Sequence, residues 1–211
     1  MSTVLAVSHL ASQRAGRTLF AELTFDLAQG EVLHIEGVNG AGKSTLLRSL
    51  VGLVQLQAGH ITFFPEQPDL QQNWRAHTLF MGHKAGVKSE LTALENVALQ
   101  AQLCGVDNID AWQLLETVGL LGLEDLPAGQ LSAGQQRRIA LTKLWYSNAL
   151  LWILDEPFTA LDTFGIELLQ QKFAEHTANG GAIILTSHQQ LTWQTERLKR
   201  LRIAGGDDAG Y

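Results

Sequence analysis

The octapeptide Gly37-Val38-Asn39-Gly40-Ala41-Gly42-Lys43-Ser44 fits the pattern G-x-x-x-x-G-K-[ST] and lies between an apolar stretch and a helix-compatible one. In that setting glycines let successive backbone N–H groups converge on a phosphate. A helix opening at Lys43 turns its positive end toward the same anion. Lys43 then reaches the β- and γ-phosphates of a nucleoside triphosphate, the Ser44 hydroxyl ligates magnesium, and Thr45 belongs to the same binding segment. Downstream, Leu151-Trp152-Ile153-Leu154-Asp155-Glu156 is an apolar run ending in two carboxylates. Asp155 suits the magnesium shell, and Glu156 is left facing an attacking water as general base. His188 follows another apolar run, 182–185, through Thr186-Ser187. A histidine past the carboxyl end of a central strand stands where ligands bind, within reach of a γ-phosphate. Together these groups point to phosphoryl transfer from a nucleotide to water, driven by positioning and charge stabilisation.

Between the two nucleotide motifs lies a pentapeptide, Leu131-Ser132-Ala133-Gly134-Gln135, and Ala160-Leu161-Asp162 follows the carboxylate pair. In this order the motifs resemble the ATP-binding cassette (ABC) ATPases across nearly the whole chain. The resemblance implies an α/β fold: a P-loop NTPase (RecA-like) core, an N-terminal antiparallel β subdomain and an inserted helical subdomain carrying the pentapeptide. It also implies ATP, magnesium and a head-to-tail homodimer. In such a dimer Ser132, Gly134 and Gln135, beside a helix starting near Gln135, meet the γ-phosphate held by the 37–44 loop of the other copy. Asp162 would cross the interface. Two positions depart from the family. Arg14 stands where an aromatic side chain stacks on adenine, a task that a planar guanidinium can also perform. His83, in Phe80-Met81-Gly82-His83, stands where the family has glutamine. Imidazole suits magnesium less well than an amide oxygen, so a water-mediated or hinge role is expected. Ala133 replaces a commoner glycine, which a negative φ tolerates.

The runs Gly82-His83, Gly86, Lys88 and Glu90-Leu91-Thr92-Ala93-Leu94-Glu95-Asn96, with Leu144-Trp145 and residues 151–162, are similar more narrowly to the ATP-binding subunits of haem exporters in c-type cytochrome maturation. That likeness implies membrane subunits CcmB and CcmC with CcmD, and a haem chaperone CcmE whose haem-loaded form is released by ATP hydrolysis. It also implies a peripheral place on the cytoplasmic face of the bacterial inner membrane. The alternatives are an ATPase subunit of another exporter, for drugs or lipids, and, further off, a soluble non-transport ABC ATPase. A small-molecule P-loop kinase would lack LSAGQ. Nothing resembles a haem site, since Cys104 is followed by Gly105-Val106-Asp107 and not by C-x-x-C-H.

The elements that must hold these groups are legible in outline. Residues 4–10 and 19–27 read as an antiparallel pair, 31–36 as a strand feeding the glycine loop, and 43–51 as a helix ended by Gly52. Residues 55–75, rich in Gln and holding Pro65 and Pro68, read as loop and short strands. The pattern is helical from about 91 to 144, and 150–154 and 182–185 are apolar on both faces, as in central parallel strands. The expected plan is one ABC domain: core and β subdomain over about 1–83 and 148–204, a helical subdomain over about 84–147, and a flexible tail at 205–211.

Composition narrows the partners. The chain has 211 residues, 45% hydrophobic and 17% charged, with net charge −6. That balance, and the absence of an evident basic run, offers no electrostatic footprint for nucleic acid. The lone Cys104 excludes an internal disulfide and reads as a small buried hydrophobe. Trp112 reads as a packing residue or part of a partner-facing groove. No stretch is long and apolar enough to cross a membrane.

Overall fold

The computed structural model describes residues 2–14, 16–187 and 197–204. The chain divides into two compact units, Met1–His83 with Ala149–Pro157 and Ala174–Tyr211, and Lys84–Asn148 with Phe158–Phe173. Residues 158–173, expected in the core, group with the helical unit.

In the first unit, β1 (Thr3–Arg14) and β2 (Arg17–Ala28) form the expected antiparallel pair, joined on the other side of β1 by β4 (Ala58–Phe63). Between them in sequence come β3 (Val32–Glu36) and α1 (Lys43–Leu50), followed after β4 by α2 (Pro68–Gln72) and β5 (Thr78–Met81). Proline at the start of α2 fits the first helical turn, where no backbone donor is needed, so a short helix forms where loop was expected. The second unit holds α3 (Ala93–Leu103), α4 (Ala111–Thr117), α5 (Ala133–Leu141) and α6 (Lys143–Tyr146). Then come β6 (Leu151–Leu154), α7 (Thr163–Ala178), β7 (Ala182–Thr186) and β8 (Leu198–Arg202).

The second sheet has the order β5-β6-β7-β3-β8 and every pairing in it is parallel. All residues of β6 and β7 are buried, and so are Val32, Leu33, His34 and Ile35 of β3. Such two-sided burial is what uninterrupted apolar runs require. Leu33, Ile35, Leu46, Leu47, Ile153 and Ile184 belong to one core cluster, which extends to Val4, Leu10 and Phe64 of the antiparallel layer. A Cβ on Gly181 would stand 2.2 Å from the His176 ring, which stacks on Trp152 at 3.6 Å. Only hydrogen fits at Gly181. The edge strand β8 carries a basic cluster that the sequence reading passed over. Lys199 pairs with Asp26 and Glu31, both at 2.8 Å, and Arg200 with Glu36 at 3.6 Å. Lys199 and Arg200 are thus matched by local carboxylates.

The second unit has its own core of Ala93, Val97, Leu115, Val118, Leu120, Ala128, Leu131 and Ile139. The distinctive run around Asn96 proves to be a structural brace. Its buried amide donates to the carbonyls of Lys88, Leu91 and Thr92 at 2.9–3.2 Å and accepts from the Lys88 N–H at 2.7 Å. A buried side-chain amide satisfied four times fixes the loop that leads into α3. Thr92 and Glu95 close a capping box on the same helix. Cys104 is exposed, contrary to the buried reading, because it caps the end of α3 where the helix runs out into solvent. Trp112 is 51% exposed on α4 and is not a core residue.

Candidate functional site

Parallel order places four loops side by side at the carboxyl edge of the second sheet, the edge where open α/β sheets bind ligands. The glycine loop leaves β3, His83 follows β5, Asp155 and Glu156 leave β6, and Thr186 ends β7. Gly40 and Gly42 have φ of 81° and 105°, backbone that side chains rarely adopt, and Gly42 is the N-cap of α1. A Cβ on Gly37 would meet the Ile203 carbonyl at 2.7 Å, so that glycine is needed for close approach. The Lys43 ammonium donates to the carbonyls of Gly37 (2.7 Å) and Val38 (3.3 Å), which holds its charge against the inner rim of the loop.

Behind the loop, Asp155 is 1% exposed. Its Oδ1 accepts from the Ser44 hydroxyl at 3.1 Å and from the Thr186 hydroxyl at 2.8 Å. Thr186 Oγ1 in turn accepts the backbone N–H of Glu156 at 2.9 Å. Glu156 has φ of 51°, a left-handed conformation that costs a non-glycine residue on the order of 1–3 kcal/mol and collects at functional sites. The threonine therefore ties the paired carboxylates to β7, the strand lying between β6 and β3. No property of Thr186 in sequence announces this role. Only the strand order does.

Within this unit a cleft of about 430 Å³ is lined by Arg14, Leu19, Val38, Asn39, Gly40, Gly42, Lys43, Ser44, Thr45, His83 and Glu156. The structure thus brings together Arg14, His83, the loop and the general-base candidate. Gly37 and Ala41 complete the loop without lining the cleft, and Asp155 meets it through Ser44. Leu19 was missed by sequence reasoning: its side chain would stand 3.0 Å from a Cβ on Gly42 and so walls the loop. The oxygen set of Ser44 and Asp155 fits a hard divalent cation that takes its remaining ligands from phosphate and water. His188 lies outside the described residues.

The second unit carries the pentapeptide. Ser132 is the N-cap of α5, and its hydroxyl accepts from Gln135 N–H at 3.2 Å while Gln135 Oε1 accepts from Ser132 N–H at 2.8 Å. This S-x-x-Q capping box begins the helix at Ala133 rather than near Gln135. Ala133 is a helical residue, so its methyl group is tolerated. Gly134 is bare for a different reason, since a Cβ there would stand 2.4 Å from the Ala160 carbonyl. Asp162 accepts the Gly165 N–H at 2.9 Å and forms a short ion pair with Arg138. Its carboxyl is held below the usual range, first by the Gly165 backbone bond and then by the Arg138 charge.

A family model described as ABC transporter matches residues 20–159. The chain is 56% identical over 194 residues to a protein of Idiomarina loihiensis named cytochrome c biogenesis ATP-binding export protein CcmA, covering 90% of this chain and 88% of that one. Proteins of the same name from Pasteurella multocida (47%, 96% of each chain) and Haemophilus influenzae (48%, 95% of each) are similar throughout. Among solved structures, an ATP-binding subunit of an ABC transporter matches with a TM-score of 0.74 at 26% identity over 88% of this chain and 79% of that one. A Pyrococcus furiosus ABC transporter ATP-binding protein matches in fold with a TM-score of 0.78 at 23% identity, over 94% and 96%. Among the described residues no helix is long and apolar enough to cross a membrane. The chain therefore belongs to the ABC transporter family, as an ATP-binding ATPase subunit of the group that holds the cytochrome c biogenesis export proteins.

Proposed function

We propose that this subunit hydrolyses ATP to drive a haem-exporter complex of c-type cytochrome maturation. The observation that carries the catalytic part is the convergence of Ser44 and Thr186 on one oxygen of Asp155, beside the Lys43 loop and Glu156. The glycine loop binds the β- and γ-phosphates, Lys43 neutralises them, and Arg14 offers a planar face to adenine. Ser44 and Asp155 would hold magnesium, which when bound offsets charge on the phosphates. Glu156 takes the proton from the attacking water, His188 meets the γ-phosphate, and His83 acts through water or at the hinge. Catalysis rests on groups fixed in place before the charge develops. Ser132, Gly134 and Gln135 complete the site on the nucleotide of a second copy in a head-to-tail homodimer, with Asp162 reaching across.

The assignment to a pathway is supported by relatives 47–56% identical over nearly full length whose name includes cytochrome c biogenesis. In this reading the membrane subunits are CcmB and CcmC with CcmD, the subunit sits on the cytoplasmic face of the inner membrane, and hydrolysis releases haem-loaded CcmE. Deleting the gene is expected to abolish c-type cytochromes and accumulate haem-loaded chaperone. Wild-type protein should restore them, and a Lys43→Ala variant should not. Persistence of c-type cytochromes, or co-purification with an unrelated permease, would overturn the assignment.

A further inference from the structure

The 158–164 segment meets the pentapeptide helix at two places, through Arg138 and through Gly134. Arg138 lies on α5 in the turn after Gln135, and its side chain is only 14% exposed although the carboxylate it pairs with is 59% exposed. Its guanidinium works as a two-sided fork. Nη2 donates to Asp162 Oδ2, while Nη1 donates to the carbonyls of Val118 (3.3 Å) and Gly119 (3.4 Å) where α4 ends. The same group stands 5.5 Å over the Phe164 ring. Gly119, at φ 70°, leaves the room: a Cβ there would lie 2.8 Å from Phe164 and 3.0 Å from Arg138 Nη1. One turn back along α5, the bare Cα of Gly134 lets the Ala160 carbonyl approach, and Ala160 itself has φ of 65°. Asp162 is thus gripped at Oδ2 by Arg138 and at Oδ1 by the N–H of Gly165 in the first turn of α7.

A planar fork with five donors is suited to this job and an ammonium is not. We propose that Arg138 is a positioning residue. It locks Asp162 and the 158–164 segment in fixed register with the Ser132 end of α5, so that the groups offered to a second copy's nucleotide move as one body. The consequence for hydrolysis rests on the two-copy reading above, whereas the lock itself is a property of the single chain. If the lock acts through Asp162, removing either partner has the same effect and removing both adds nothing.

Two measurements on the full chain separate these layers. Hydrogen exchange without nucleotide should show the amides of Leu161 and Gly165 exchanging about tenfold faster in Arg138→Met and Asp162→Asn, as expected for a local opening that leaves global stability alone. The amides of α1 should be unchanged, and Arg138→Lys should fall between wild type and Met. In ATPase assays each single variant is expected to lower kcat about tenfold with KM within about twofold, and the double variant should be no slower than the slower single. Unchanged exchange at Leu161 and Gly165 in both variants would overturn the lock. So would a double variant whose kcat loss is the product of the two single losses, which would mean that Arg138 serves only to cap α4. A wild-type chain without ATPase activity would count against the function proposed above, and the exchange result would still decide the lock.

Discussion

Replacing Thr186 by valine tests whether the threonine hydroxyl organises the paired carboxylates. Valine has nearly the same shape, so no cavity opens in a residue that is fully buried. What disappears is one donor to Asp155 Oδ1 and the acceptor of the Glu156 N–H. Leaving a buried polar group without its partner costs about 1–3 kcal/mol. For a chain of this length each kcal/mol moves Tm by about 2–4 °C, which gives a drop of roughly 4–8 °C for a mid-range loss of about 2 kcal/mol. The catalytic effect should be larger than the change in stability suggests. Glu156 is held at φ 51°, and a backbone released from that conformation turns its carboxylate away from the cleft. Even about 1.4 kcal/mol lost selectively in the transition state is a tenfold fall in kcat. Thr186→Ser is the control, because it keeps both hydrogen bonds and loses one methyl group, worth about 1 kcal/mol. Thermal unfolding and steady-state ATPase assays on the three proteins should show valine slow and serine within about threefold of wild type. If valine retains wild-type kcat and Tm, or serine is as slow as valine, the hydroxyl has no organising role.

Two further outcomes can be measured. Glu156→Gln should bind ATP, hydrolyse it very slowly and accumulate a dimer seen by size-exclusion chromatography, whereas a monomer under saturating ATP and magnesium would contradict the shared site. Tyr146 has a buried hydroxyl, and burial first, then the nearby Cys104 thiol, push its pKa above the ordinary value of 10.0. The folded state then keeps its proton longer than the unfolded one, so stability should fall as pH rises above about 10. Tyr146→Phe should flatten that alkaline slope in pH-dependent unfolding, and an unchanged slope would refute the assignment.

How much was legible varied with the range of the forces involved. The glycine loop could be read because its chemistry is local: φ values, converging N–H groups and the start of a helix are all written within eight consecutive residues. The two fully buried strands were equally plain, since an uninterrupted apolar run has no other stable place. By contrast β5 and β8 did not stand out. Thr78–Met81 is an edge strand with only its last residue buried. Leu198–Arg202 is an edge strand of two leucines and three cations, of which Lys199 pairs with Asp26 and Glu31 and Arg200 with Glu36. Both are strands because neighbours pair with them, and their own composition is a weak signal.

The sequence by itself therefore determined the kind of chemistry, because the nucleotide motifs are short and local. It indicated the kind of ATPase through the family resemblance that those motifs carry in their order. Tertiary structure decided what holds those motifs in place. Thr186 matters because β7 lies between β6 and β3, Leu19 because it walls Gly42, and Arg138 because folding brings it to Asp162 across 24 residues. A side chain's partner across the fold depends on sheet order and helix packing, which no local pattern encodes. Ser132, Gly134 and Gln135 show both levels at once. Their order named the family, while the capping box and the Ala160 carbonyl explain why serine, glycine and glutamine fit at those three places.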